Sequence, residues 1–450
     1  MDSKPEAGGT RFLLYPQPPI INPDRPPEAV YVSSPAGSLR PGPADHRMYT
    51  INPVGKWPPY GMQIDRRGEP YMYLPPWDGD VHPPARPDAD GHFDHLDVDS
   101  PEFEAAHLFG CVRFVLDIWE TYFGHEIPWH FGDAYDRMEL VNLPAFDNGH
   151  IGYGFLEVGH NLTKSGVYTL DCTNFDIVAH EVGHGIIYTS VGVPDPDKET
   201  GEYNGFHESA ADLVAIISCL HFDTVLDDLL RNTRGNLYML NRVNRIAELS
   251  DNEQIRVASN GVTMSEFADG WRKEHRLSQP LTGAIFDVLV DVFHEQLLDR
   301  DLISAQVEDL ADEYEYRPEY QSKVQEMFDE AYTGRADDFR EALIEARDVM
   351  GHYLAELWRR LPPDFLTYQL ISEILTEVDH DFSGGEYRRI IANNFRYRDI
   401  GRVRVGPQLA KLPKENHMDS ERRLTPQSRE LTGHRRMSYR ERMLRARHGG

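Results

Sequence analysis

His180-Glu181-Val182-Gly183-His184 restricts this chain more than any other stretch of it. Positions i and i+4 of an α-helix share a face, so the two imidazoles can reach one point. Glu181, one step on, is turned away by about 100°. Ile177, Val178, Val182, Ile186 and Ile187 surround them, which predicts a buried helix over residues 176–189, stopped by Gly192 and Pro194. The plainer reading, a surface helix with two solvated histidines, does not suit so apolar a segment. Two buried imidazoles with nothing to bind are costly. A metal ion shared by both rings removes that cost.

An ion held for chemistry takes three protein ligands and keeps a further position open. A third histidine six residues after His184 is excluded, because Ser190 stands there. The stretch Asn204-Gly205-Phe206-His207-Glu208-Ser209-Ala210-Ala211-Asp212 supplies a carboxylate instead. Residues 194–205 read as a polar loop, followed by an apolar helix over residues 207–220 with Glu208 at its start. A carboxylate at a helix N-terminus is also favoured by the dipole alone. Asp212, one turn later, can accept a hydrogen bond from a ligand histidine and fix its tautomer. His207 competes with Glu208 as third ligand and ranks behind it.

Phe175-Asp176-Ile177-Val178-Ala179-His180-Glu181-Val182-Gly183-His184 and Glu208-Ser209-Ala210-Ala211-Asp212 resemble the thermolysin-like (gluzincin) zinc metallopeptidases. The resemblance covers roughly residues 45–400. It implies an α+β fold of two lobes, a mixed α/β N-terminal lobe and a mainly α-helical C-terminal lobe, with zinc in the cleft between them. It implies a metalloendopeptidase acting on peptides or proteins, with zinc on His180, His184 and Glu208, and Glu181 as general base. It also implies a preference for an apolar side chain after the cleaved bond. Ala145-Phe146-Asp147-Asn148-Gly149 and Tyr153-Gly154 look like the family's edge strand, which pairs with substrate, Ala145 included. His275-Arg276-Leu277-Ser278 is similar to the family's H-x-x-S, whose histidine stabilises the oxyanion. Arg245 resembles the arginine that binds a substrate carbonyl, and Tyr203 is the candidate for the tyrosine that serves the transition state. The family's structural calcium is doubtful here: Asp176 keeps one carboxylate position, but Cys219 stands at the second. The interval between His184 and Glu208 is also longer than in thermolysin itself. Two other functions fit a zinc helix. One is a zinc aminopeptidase, for which no acidic anchor motif is found. The other is a non-catalytic, zinc-stabilised interaction protein, against which Glu181 and His275 argue.

The rest of the chain bounds the partners. A net charge of −28 excludes a nucleic-acid-binding body. Residues 401–450 carry a net +8, leaving −36 on what precedes them. The expected divisions are a Pro-rich N-terminal extension over residues 1–45, the α/β lobe over 46–192, the helical lobe over 193–410 and a basic tail over 411–450. Nineteen of the 31 prolines fall in the first 100 residues, so strands and loops are expected there. Short strands are expected at residues 29–32 and 71–74, and a strand edge at 152–156. A long helix is expected over residues 102–123, ending before Gly124, and another over 281–298. Further helices follow, broken at Pro362-Pro363 and Gly384-Gly385. Asp379-His380-Asp381-Phe382-Ser383-Gly384 begins like a calcium loop, but Glu386 and Ile390 stand where an apolar residue and a bidentate Glu belong, so a polar turn is expected. No run is long enough to span a membrane. Three cysteines and the absence of a signal pattern at Met1 give the expectation of a cytoplasmic protein, with non-classical secretion open. Nothing in the sequence fixes an oligomeric state.

Overall fold

The computed structural model describes residues 8–20, 25–144, 146–162, 168–238, 245–250, 253–314 and 318–409. Its strands are β1 (Gly9–Leu14), β2 (Glu28–Pro35), β3 (Met48–Ile51), β4 (Gly61–Ile64), β5 (Pro70–Tyr73), β6 (Met138–Asn142), β7 (Gly149–Ile151), β8 (Phe155–Val158), β9 (His160–Leu162), β10 (Tyr168–Leu170), β11 (Arg245–Ser250) and β12 (Glu253–Val257). One sheet has four strands in the order β3-β6-β8-β7, parallel except for antiparallel β7 at its end. The others are two-stranded hairpins. The expected strand edge at residues 152–156 is corrected: the end strand is β7, and β8 lies inside the sheet.

The helices are α1 (Pro101–Phe123), α2 (Phe175–Ser190), α3 (Gly201–Cys219), α4 (Asp223–Thr233), α5 (Glu274–Asp299), α6 (Ala305–Tyr314), α7 (Pro318–Tyr332), α8 (Ala336–Arg360), α9 (Tyr368–Ser383) and α10 (Arg388–Tyr397). The chain is therefore mixed α/β with a small sheet. Helix α1 has a full set of local signals. Ser100 accepts from Phe103 N, Pro101 opens the first turn, and Gly124 ends it in the left-handed region at φ 72°. Apolar residues all round α1 let it pack on the β1–β2 hairpin, the four-stranded sheet, α2 and α8 at once.

The β1–β2 hairpin contributes to the core. Phe12, Leu14, Val30 and Val32 are buried, and the Phe12 ring stacks on Phe109 of α1 at 5.8 Å. Buried side chains from Phe12 to Ile400 form one continuous apolar cluster. Helix α2 contributes to it and packs on α1, β7 and α3.

Beside this core, the four-stranded sheet carries two buried acids. Glu157 pairs with Lys56 at 2.5 Å and accepts from Tyr60 N at 2.7 Å. It also meets His150 Nε2 of β7 at 2.8 Å. Glu139 accepts from the hydroxyls of Tyr49 and Tyr60, each at 2.7 Å. Satisfied this way, the two carboxylates tolerate burial, and His150 ties the end strand to the sheet. The loop-like stretch at Asp379 is a helix end. Asp379 accepts from Tyr353 Oη, Ser383 Oγ and Tyr387 N, and Gly384 caps α9 at φ 75°. Among the described residues, no helix is long and apolar enough to cross a membrane.

Candidate metal centre

Small residues bring the two central helices together. A Cβ on Gly183 would stand 2.8 Å from Ala211 Cα and 3.1 Å from Val214 Cβ. Glycine inside the His-Glu-x-x-His turn therefore sets how close α2 and α3 approach. Glu208, one turn before Ala211 and Asp212, consequently comes level with His180 and His184. Helix α2 starts at an Asn174 cap, whose side chain accepts from Ile177 N. Helix α3 starts at Thr200, whose Oγ1 accepts from Tyr203 N at 3.0 Å. Glu208 therefore does not open its helix as expected, but sits in the third turn, because the polar residues 201–206 are already helical.

The donor atoms converge. One ligand atom from each of His180, Glu181 and His184 lies within 4.8 Å of the others. Glu208 Oε2 is 3.5 Å from His180 Nε2 and 4.0 Å from His184 Nε2. His180 Nδ1 is 2.9 Å from Asp212 Oδ1, and His184 Nδ1 is 2.7 Å from His207 Nδ1. Both rings thus have Nδ1 engaged outward and Nε2 turned towards Glu208. Tetrahedral ligands of zinc stand about 3.3 Å apart, and both separations from Glu208 Oε2 lie a little above that. Glu208 Oε2 is also buried, with His275 Nδ1 2.7 Å from it, and a carboxylate oxygen enclosed by imidazoles suits a cation. His180, His184 and Glu208 therefore fit zinc as a ligand set.

Burial works against charge on Glu208, but the imidazoles of His180 and His275 at its oxygen, with His184 nearby, outweigh it. They hold its carboxyl well below the usual carboxylate range. Burial pushes His207 down to about 4, leaving a neutral ring. His130, lodged against Tyr188 with ring centroids 5.0 Å apart, is pushed down to about 3, chiefly by burial.

His275 Nδ1 lies 2.7 Å from Glu208 Oε2, although its side chain is 53% exposed. The sequence places His275 before a helix; it lies instead in the first turn of α5, which begins at Glu274 and runs on through Pro280. Ser278 Oγ donates to His275 O at 2.9 Å, and Tyr368 Oη donates to Leu277 O at 2.8 Å. The His-x-x-Ser spacing is thus a local brace for the turn that carries the imidazole.

Glu181 is buried and faces the end strand: a Cβ on Gly149 would stand 3.2 Å from its Oε1. Farther along, Gly185 leaves room for Ile151, whose Cδ1 would be 2.8 Å from a Cβ there. Two glycines thus seat β7 on α2.

Tyr203 is not brought to this group. It is buried in the first turn of α3, and its hydroxyl donates to Gly192 O at 2.7 Å, tying α3 to the chain reversal after α2. Arg245 opens β11 opposite Val257, and its side chain lies outside the described residues. Ala145 lies outside them as well.

Sequence reasoning missed the stack behind His184, in which Tyr188 packs on His207 at 4.4 Å and on His130 at 5.0 Å. Tyr188 shares a helix face with His184, four positions away, a signal available in advance. His130 lies in a loop and gave none.

At the position raised for calcium, Cys219 Sγ donates to Asp176 Oδ1 at 2.8 Å, both residues being buried. A thiol here supplies a proton where a cation site needs an oxygen. Calcium-selective chelation is expected to leave Tm within a few degrees of the untreated protein in a thermal scan. Cys219→Ala, which deletes the donor, is expected to cost about 1–3 kcal/mol, with Cys219→Ser closer to the parent.

No protein-family model matches the chain, and neither does any curated protein sequence. Among solved structures, the precursor of protealysin, a metalloproteinase from Serratia proteamaculans, matches 67% of this chain and 90% of its own. The TM-score is 0.33 and the identity 11%. Likeness at that level says nothing of activity.

Proposed function

We propose that this protein is a zinc-dependent endopeptidase, with zinc on His180, His184 and Glu208 in a cleft between an α/β and a helical lobe. The observation that carries the reading is the convergence of two Nε2 atoms on one buried carboxylate oxygen. Zinc bound there supplies Lewis-acid polarisation of the scissile carbonyl and lowers the pKa of a water. Glu181, beside β7, takes the proton from the attacking water and delivers it to the leaving amine. Asp212 and His180 form an oriented pair that turns Nε2 towards Glu208. β7, paired on one side with β8, offers its other edge to an extended peptide in the mode of strand addition. An extended chain on β7 would lie across Glu181 at Gly149.

The test is turnover of quenched fluorescent peptides blocked at both ends. Cleavage that is abolished by a zinc chelator and restored by zinc supports the reading. Activity confined to free N-termini would indicate the aminopeptidase. No cleavage across a broad library would leave a zinc-stabilised binding protein.

His275, whose Nδ1 lies on Glu208 Oε2, would donate a hydrogen bond to the oxyanion through Nε2, the role the His-x-x-Ser resemblance implies. A donor that acts on developing charge contributes mostly to kcat. His275→Ala is expected to lower kcat by roughly 10²–10³-fold with little change in KM and no loss of zinc. Near-parental kcat in that variant would reduce His275 to a partner of Glu208.

A further inference from the structure

The two candidate ligand histidines are held from behind in different ways, His180 by the carboxylate of Asp212 and His184 by a second imidazole. The Nδ1 atoms of His184 and His207 are 2.7 Å apart, with 19° between the ring planes. At that distance one proton lies between the nitrogens, since two lone pairs or two N–H groups would repel. With the proton on His184, its Nε2 carries a lone pair facing Glu208. With the proton on His207, His184 Nε2 carries hydrogen and cannot ligate.

We propose that His207 is a positioning residue for the metal, accepting the Nδ1–H of His184 and so fixing the orientation and tautomer that turn His184 Nε2 towards Glu208. The proposal rests on the reading of His180, His184 and Glu208 as the zinc ligands. Three observations carry it. His207 precedes Glu208 on α3, about 100° round the helix, so it cannot share Glu208's direction. Its ring is wedged between Tyr188 at 4.4 Å and Tyr203 at 5.8 Å, which prevents it from swinging to the metal side. Its Nε2 is buried without a hydrogen bond, which is where the ring's own proton must sit once Nδ1 acts as acceptor. A neutral acceptor also fixes His184 without adding a further negative charge beside Glu208, Glu181 and Asp212.

The experiment titrates metal-free parent, His207→Asn, His207→Leu and His207→Ala with zinc against a competing chelator. Cobalt(II) in parallel reports coordination through its visible absorption. Leu fills volume without an acceptor, whereas the Asn carboxamide oxygen can accept from His184. Expected are a loss of about 10–100-fold in zinc affinity for Ala and Leu and recovery of most of it in Asn. One equivalent of zinc and a tetrahedral cobalt spectrum should persist throughout. Circular dichroism of the metal-free variants checks folding, and Ala stands in if Leu does not fold. Leu binding as tightly as Asn would make the role one of packing and overturn the proposal, as would parental affinity in every variant. Loss of the zinc equivalent in Asn, with Glu208→Ala retaining it, would make His207 itself the ligand and also overturn it. A parent that takes up no zinc would instead refute the reading of the centre on which the proposal rests.

Discussion

Glu181→Gln is expected to keep one equivalent of zinc and to lower kcat by about 10²–10⁴-fold. The two carboxylates of the centre have different surroundings. Glu208 lies among three imidazole nitrogens, whereas Glu181 lies against the backbone of β7 at Gly149. A group on the substrate side can exchange a proton with water and amine but is not needed to hold the ion. Glutamine keeps the volume and removes the basicity, so Tm should stay near that of the parent. Turnover on blocked peptides and zinc content, measured on the same preparation, check the outcome. Loss of zinc in this variant would mean that Glu181 is itself a ligand, and substantial remaining turnover would remove it as the base.

Glu208→Ala is expected to give the opposite pattern, with metal lost first and activity lost as a consequence. Zinc binding free energies of roughly 10–16 kcal/mol, spread over about four ligand positions, put a single ligand at about 3 kcal/mol, or roughly 10²–10³-fold in Kd. The deletion also removes the one anionic ligand of the proposed set and leaves His180 and His184 facing a cavity. Competition titration with a chromophoric chelator measures the change. Excess zinc should restore only part of the activity. Parental zinc affinity in Glu208→Ala would move the third ligand elsewhere, with His207 as the nearest imidazole.

Much of the centre was legible because it is written in helical spacing. His180, His184, Glu208 and Asp212 are placed by positions i and i+4 on two helices, and side chains at that separation meet whatever surrounds them. Gly124, Gly192 and Gly384 likewise marked chain reversals, and each adopts a positive φ. What misled was the start of helices whose first turns are polar. Residues 201–205 read as loop and His275 as preceding its helix, yet a Thr200 cap and the brace from Ser278 leave residues 201–205 and 274–278 helical. The resulting shift takes Tyr203 away from the centre and onto Gly192, since its hydroxyl direction follows from where α3 begins. The end strand was hard to see for another reason. Three residues, Gly149–Ile151, have too little pattern to register, and their seat on α2 depends on Gly185 in a distant segment. His130 and the Lys56–Glu157 pair are equally non-local: each is defined by contacts far apart in sequence, which no local window contains.

X-ray absorption at the zinc edge of the purified, zinc-loaded protein tests the central claim most directly, because it counts ligand types without reference to activity. The account predicts one zinc with two imidazole nitrogens at about 2.0–2.1 Å and oxygen at about 2.0–2.2 Å, from Glu208 and solvent. A third imidazole, sulfur at about 2.3 Å, or protein that cannot be loaded with zinc at all would contradict it.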